Sequence, residues 1–261
     1  MIIDTHAHIH QHDEHEIPEI ISRALECNVS KIITAGVNIT DSKLSLRIAN
    51  KYENVYSGVG IHPEEIKSPI SKKDIKALKS LSKENKVKVI SEIGLDNQKT
   101  SPEIKIQEEG FYEQIKLAKE EKLPIIFHIR EENNDFEESF AKDIAINIFS
   151  ELSIGDIGGA AHYFAGKWDY AKKLLDLGLL ISFAKPIIYN KSLHETVSKI
   201  PSEKIIVETD SYPQHYKPDR SKWTEPKDIS NIINKIAEIK QINRELIEEK
   251  IHNNSIKLLN F

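Results

Sequence analysis

Cysteine is nearly missing from this chain of 261 residues: Cys27 is its only one. No intrachain disulfide can form. That suits a reducing compartment, and a cytoplasmic protein is expected. Apolar runs are short, and none approaches the roughly 18–20 residues that a membrane span needs. No membrane association is therefore expected. The N-terminus opens directly on a strand with polar side chains and does not read as a signal peptide. A basic excess is lacking too. Lys and Arg total 36 against 41 Asp and Glu, a formal charge of −5. Broad, charge-driven binding of nucleic acid is disfavoured, whereas a local grip on one strand end is not. No glycine-rich phosphate loop follows the first strand, which counts against an open doubly wound sheet. Nothing in the chain marks an obligate protein partner.

Histidine, by contrast, is plentiful at eleven residues, and the first two stand in MIIDTHAH. A short β run, Ile2 to Ala7, carries Asp4, His6 and His8 at alternate positions. Side chains of a strand alternate between its faces. His6 and His8 are thus expected to project together from the strand's end, with Ile3, Thr5 and Ala7 opposite. Two imidazoles on one face make half of a divalent-metal site.

Seven further strand-like runs follow, at residues 31–36, 55–63, 87–94, 123–130, 158–164, 179–184 and 204–210. Helical patterns separate them, at 18–27, 38–51, 71–83, 102–121, 135–152, 167–177 and 191–199. Two more, 226–240 and 244–259, close the chain. Thr40 and Asp41 are capping candidates for the second helix, Pro102 falls in the first turn of the fourth, and Gly178 suits a C-cap. Strands alternating with helices pair in parallel with the helices outside. Eight such units in about 250 residues predict a (β/α)8 TIM-like barrel, an α/β fold forming one domain over residues 1–261.

In such a barrel the C-terminal strand ends converge on one mouth. His6, His8, His62, Glu92, His128, His162 and Asp210 all fall at or just beyond those ends. A lone histidine at a strand end is usually a satisfied polar residue. Strong ligands at the ends of most strands are a different matter, and the ring is large enough for two divalent ions. Glu92 is the natural bridging carboxylate. His10, His12 and His15 read as a solvated loop, and His194, His215 and His252 as background. Tyr163, Phe164, Tyr212, Tyr216 and Trp223 are expected near the mouth, where aromatics can pack loops or stack on bases.

These residues lie in a series of motifs. The chain carries IDTHAHI at its start, GIHP at 60–63, EIGLD at 92–96, PIIFHIRE at 124–131, HYFAG at 162–166 and ETDS at 208–211. In this order and over its whole length it resembles the TatD family of metal-dependent hydrolases, in the amidohydrolase superfamily. The resemblance implies one metal on His6, His8, Glu92 and Asp210 and a second on Glu92, His128 and His162. The ions would be Mg2+, Mn2+ or Zn2+. It implies that His62 faces substrate. Arg130, two residues beyond His128, is a candidate to grip a phosphate through its forked guanidinium. The implied activity is deoxyribonuclease action on DNA, with Glu92 and Asp210 as catalytic carboxylates and Asp210 as general base. Glu208 either orients a ligand histidine or is a structural acid.

Three positions depart from the family pattern. Asn97 follows EIGLD where Tyr is usual, Glu64 follows GIHP where His is usual, and Tyr212 is inserted before Pro213. All three bear on the pocket and none on the ligands. Glu64 is expected to point to solvent. Two other readings compete. One is an amidohydrolase acting on a small amide, lactone or phosphotriester. It is disfavoured because Glu92 stands where many such enzymes carry a modified lysine. The other is a non-catalytic metal-binding barrel, which the complete ligand set disfavours.

Overall fold

A computed structural model describes residues 1–261. Eight strands alternate with helices along the chain. The strands are β1 (Ile2–Ala7), β2 (Val29–Ala35), β3 (Val55–Val59), β4 (Val87–Asp96), β5 (Ile125–Arg130), β6 (Gly159–Ala161), β7 (Leu180–Phe183) and β8 (Ile205–Val207). The helices are α1 (Ile17–Glu26), α2 (Ile39–Lys51), α3 (Lys72–Ser82), α4 (Ile104–Glu121), α5 (Phe140–Glu151), α6 (Trp168–Asp176), α7 (Ser192–Lys199), α8 (Ile229–Lys240) and α9 (Arg244–Leu259). Each strand pairs in parallel with the next, in the order β1 to β8. Hydrogen bonds bring the chain beyond β8 back against β1: Asp210 N–H donates to His6 O at 3.0 Å, and His8 N–H to Ser211 O at 2.7 Å. The result is the TIM-like barrel expected from the alternation of elements. No helix is long and apolar enough to cross a membrane.

Two apolar cores follow from this closure. The larger lies between strands and helices, where Phe127 of β5 packs on Phe149 of α5 and Phe149 on Phe111 of α4, at ring separations of 4.7 and 5.6 Å. The smaller joins Ile3, Ile33, Val89, Ile126, Ala160 and Ile206 with Leu259 of α9. Side chains from strands so far apart in the sheet can meet only inside the barrel. Apolar residues therefore fill the lower barrel and leave polar ones for the upper end.

The simple alternation expected of β1 breaks down here. Ile3 points inward with the core, yet His6 and His8 also face the barrel's interior. A register irregularity between Asp4 and Ala7 makes this parity switch possible. β4 carries a similar shift between Ile90 and Ile93, just where Glu92 turns into the mouth. Such irregularities re-aim side chains at barrel rims.

Local signals placed the helices with small corrections. Asn38, not Thr40 or Asp41, caps α2 by accepting from Asp41 N–H at 3.0 Å. Ser71 and Asp74 form a reciprocal capping box on α3. Pro102 precedes the N-cap of α4, Glu103, and so lies outside the helix. Gly178 follows the last turn of α6 at φ 85°, where glycine avoids a side-chain clash.

Candidate metal centre

Glu92 lies at the middle of the mouth, almost fully buried. Its two carboxylate oxygens face different groups. Oε1 is 3.2 Å from His128 Nδ1, 3.3 Å from His162 Nε2 and 3.4 Å from His62 Nε2. Oε2 is 3.4 Å from His6 Nε2 and 3.7 Å from His8 Nε2. Asp210 adds its Oδ1 at 3.4 Å from His8 Nε2. All seven ring residues inferred from the strand ends are thus brought together. Asp210 sits just beyond β8 at φ 50°, a left-handed conformation that Asp tolerates better than most residues.

The second ring nitrogen of each histidine shows what the first can do. A carbonyl or carboxylate only accepts, so it fixes a proton on the nitrogen it faces. His8 Nδ1 lies 2.7 Å from Ala35 O. His162 Nδ1 lies 2.7 Å from Glu208 Oε1, and His128 Nε2 lies 2.8 Å from Asp96 Oδ2. In their neutral forms these three rings aim a lone pair at the centre, two through Nε2 and His128 through Nδ1. His6 rests its Nδ1 on Ser91 Oγ at 3.3 Å, a partner that permits the same arrangement. His62 is reversed: its Nδ1 accepts from Glu64 N–H at 3.2 Å. Its inward Nε2 therefore carries a hydrogen and is a donor, not a ligand.

The donor set fits divalent cations. His6 Nε2 and His8 Nε2 approach to 3.2 Å with both aimed inward, and two lone pairs converging this closely call for a cation between them. Two clusters offer ligand atoms close enough to share an ion, His6, His8 and Glu92, and His6, His162 and Asp210; Glu92 and His128 form a third group with His62, whose protonated Nε2 cannot ligate. Backing carboxylates on His162 and His128 are the usual way that ligand imidazoles are oriented.

Without a cation the histidines carry the compensating charge. Burial works against protonation of His162, yet Glu208 and Glu92 outweigh it and push its pKa up to about 10. His8 and His128 are raised in the same way, despite burial, by Asp210 and Asp96 respectively. His6 is lowered, chiefly by burial and then by the charge of His162. Burial opposes ionisation of Glu92, but the surrounding imidazoles hold it well below the usual carboxylate range. Such a centre must expel protons to take up metal.

Around this floor opens a cavity of about 790 Å³. Its lining includes five aromatic residues, Phe136, Tyr163, Phe164, Tyr189 and Tyr212. Arg130 also lines the cavity.

A profile of the family described as TatD related DNase matches residues 3–260. The chain belongs to that family. This TatD-family protein is a metal-dependent hydrolase. It is 30% identical to the metal-dependent hydrolase YabD of Bacillus subtilis, over 99% of this chain and 98% of that one. It is 27% identical to the 3'-5' ssDNA/RNA exonuclease TatD of Klebsiella pneumoniae, over 84% of this chain and 82% of the other. The crystal structure of YJJV, a TatD homolog from Escherichia coli, superposes with a TM-score of 0.87 at 24% identity, covering 100% of this chain and 98% of that chain. The last of these speaks to fold.

Several sequence expectations need correction. His10 and His12 are buried, not solvated. His10 lies 3.0 Å from Asp41, and the His12 ring lies 5.9 Å from that of Trp223, tilted against it. Trp223 is itself buried on that side and does not line the cavity, and Tyr216 is an exposed residue outside the lining. Glu64 is half-exposed but does not point freely to solvent, because it accepts from Arg130 Nη2 at 3.0 Å. The structure adds Asp96, which backs His128, and Ser182, which donates to Glu208 Oε2 at 2.6 Å. The motif EIGLD carries the clue to Asp96, which falls on the same strand parity as Glu92.

Proposed function

We propose that this TatD-family hydrolase is a deoxyribonuclease that cleaves phosphodiester bonds at a two-cation centre, with residues 1–261 acting as one cytoplasmic barrel domain. One observation carries the reading: the two oxygens of Glu92 face separate nitrogen groups, with Asp210 beside one of them. His6, His8, Glu92 and Asp210 would hold one ion. Glu92, His128 and His162 would hold the other. Mg2+, Mn2+ or Zn2+ suits this mix of nitrogen and oxygen donors. Two such ions supply Lewis-acid charge to the phosphoryl group and make a water more acidic. The exonuclease activity in the name of the Klebsiella relative supports nucleic acid as the substrate.

The protein's own groups do the rest. Asp210 accepts a proton from the attacking water as its oxygen bonds to phosphorus. The phosphorus–oxygen bond to the leaving group breaks on the far side, and the departing alkoxide takes a proton from solvent water. His62 donates from Nε2 to a phosphoryl oxygen, since its Nδ1 is committed to Glu64 N–H. Arg130 supplies a permanent positive charge to the cavity lining. Tyr163, Tyr189 and Tyr212 give bases a surface on which to stack.

The test is cleavage of a short single-stranded DNA by metal-stripped protein, with and without Mg2+, Mn2+ or Zn2+, beside an Asp210→Ala variant. Cleavage that requires an added ion and is lost in the variant is expected. No cleavage with any ion, from protein shown to bind two, would overturn the nuclease reading.

A further inference from the structure

Arg130 is the only lysine or arginine among the residues that line the cavity. It is not free. Its Nε lies 2.6 Å from Asp96 Oδ2, and its Nη2 donates to Glu64 Oε1 at 3.0 Å. The two acids differ in kind. Asp96 is fully buried and locked, taking hydrogen bonds from Ser101 Oγ at 2.6 Å, Gln98 N–H at 3.1 Å and His128 Nε2 at 2.8 Å. Glu64 has a side chain 47% exposed and no other side-chain donor than Arg130 within hydrogen-bond distance. Its backbone is pinned beside His62, so the carboxylate cannot move far from the cavity. Arg130 thus has one permanent partner and one displaceable partner, and the three groups together carry a net negative charge.

A phosphate approaching Arg130 must displace Glu64 or sit beside it. A guanidinium fork can serve a phosphate or a carboxylate, since both present paired oxygens to it. We propose that Glu64 is a specificity-determining residue that competes for Arg130 with any second phosphate of the substrate. The favoured substrate is then a phosphodiester flanked on the Arg130 side by an uncharged group, such as a terminal linkage bearing a free hydroxyl. A linkage with another phosphate at that position is disfavoured. This goes beyond the nuclease reading, on which the kinetic half of its test rests.

The experiment has two arms and four proteins: the parent, Glu64→Gln, Arg130→Gln and the double variant. In the first arm, metal-stripped protein is titrated with inorganic phosphate by calorimetry. Glu64→Gln is expected to bind phosphate about tenfold more tightly than the parent, the scale of one half-exposed charge contact. The gain should vanish when Arg130 is Gln, as a double-mutant cycle requires. In the second arm, metal-loaded protein is given the dinucleotide TpT and the same dinucleotide with a phosphate on its 5' or 3' end. Glu64→Gln is expected to raise the ratio of kcat/KM for one phosphorylated form over TpT by about tenfold. Phosphate affinity within twofold of the parent, or a gain that survives loss of Arg130, would overturn the proposal. If no dinucleotide is cleaved by any of the proteins, the nuclease reading fails, while the phosphate titration still decides the role of Glu64.

Discussion

Replacing Glu208 with glutamine removes one buried charge and keeps the side chain's shape. Glu208 is fully buried. It accepts from Tyr163 N–H at 2.6 Å and Ser182 Oγ at 2.6 Å, and faces His162 Nδ1 at 2.7 Å. In the variant the amide oxygen can keep Tyr163 and His162, while the amide nitrogen faces Ser182, whose hydroxyl rotates to accept. All three contacts survive in neutral form. Each drops by about 1 kcal/mol in going from a charged to a neutral partner, and relief of the buried charge returns part of the total, leaving a loss of about 2 kcal/mol. For a chain of this size that lowers Tm by about 4–8 °C. Glu208→Ala should be worse, because it strands buried donors with no acceptor. The sign of the pH dependence follows from His162. Its folded pKa of about 10 lies above its ordinary 6.5, so the stabilisation is complete below 6.5 and fades as pH rises toward 10. Melting of metal-stripped parent and variant should therefore differ most near pH 6 and converge toward pH 10. Proton NMR of the imidazoles should show the His162 titration falling in the variant. A melting temperature within about 1 °C of the parent at pH 6, with His162 unmoved, would refute this account of Glu208.

Asp210→Ala should cost roughly 10²–10⁴ in kcat, the range for loss of a general base, with the metal-stripped protein still melting cooperatively. Gly94→Ala should be severely destabilised, by about 3 kcal/mol or more. Gly94 stands at φ 150° and a Cβ there would lie 1.8 Å from His128 O, so chemical denaturation and the yield of folded protein report it directly. Glu225→Gln should lower stability by about 2 kcal/mol at pH 7, since Glu225 holds Arg23 Nε at 2.8 Å and Nη2 at 2.9 Å. Burial opposes the Glu225 charge, but Arg23 lowers its pKa below the ordinary 4.5, so this deficit should close as pH falls below that value; equal melting at pH 7 would count against it. Metal loading should raise Tm in proportion to the logarithm of free ion concentration and release protons, measurable by calorimetry in buffers of different ionisation enthalpy.

The alternation of strands and helices was enough to read the barrel, because each unit carries its own periodicity and parallel pairing leaves few ways to close. The ligands were legible for a related reason: His6, His8 and His128 stand at or beside strand ends, and every strand end leads to the same mouth. Lengths were read less well. β6 and β8 hold only three residues each, so His162 and Asp210 project from the chain beyond the strands. The parity of β1 is not written in its own residues, because the irregularity between Asp4 and Ala7 depends on its pairing with β2, which is 27 residues away at the first paired position. Glu64 escaped for the same kind of reason. Its partner, Arg130, lies 66 residues away, and no local pattern joins them.

The histidines of the first loop show why residue type alone could not separate ligand from scaffold. His10 is as buried as the ligands and follows His8 by only two residues. Yet its Nδ1 lies 2.6 Å from Thr34 Oγ1 and its Nε2 3.0 Å from Asp41 Oδ2, so both nitrogens are engaged by the protein. His8 gives one nitrogen to Ala35 O and leaves the other aimed at Glu92 and Asp210. A ring with both ends engaged ties elements together, here the chain after β1 to β2 and α2. A ring with one end anchored and the other pointed at shared space can bind. His62 completes the comparison, because it too has one anchored end, but its anchor is a donor. The difference between Ala35 O and Glu64 N–H reverses the tautomer, and with it the role of the ring. Where the anchor is a side chain, as Glu208 is for His162 and Asp96 for His128, substituting it should therefore shift the role of the ring more selectively than substituting the ring itself.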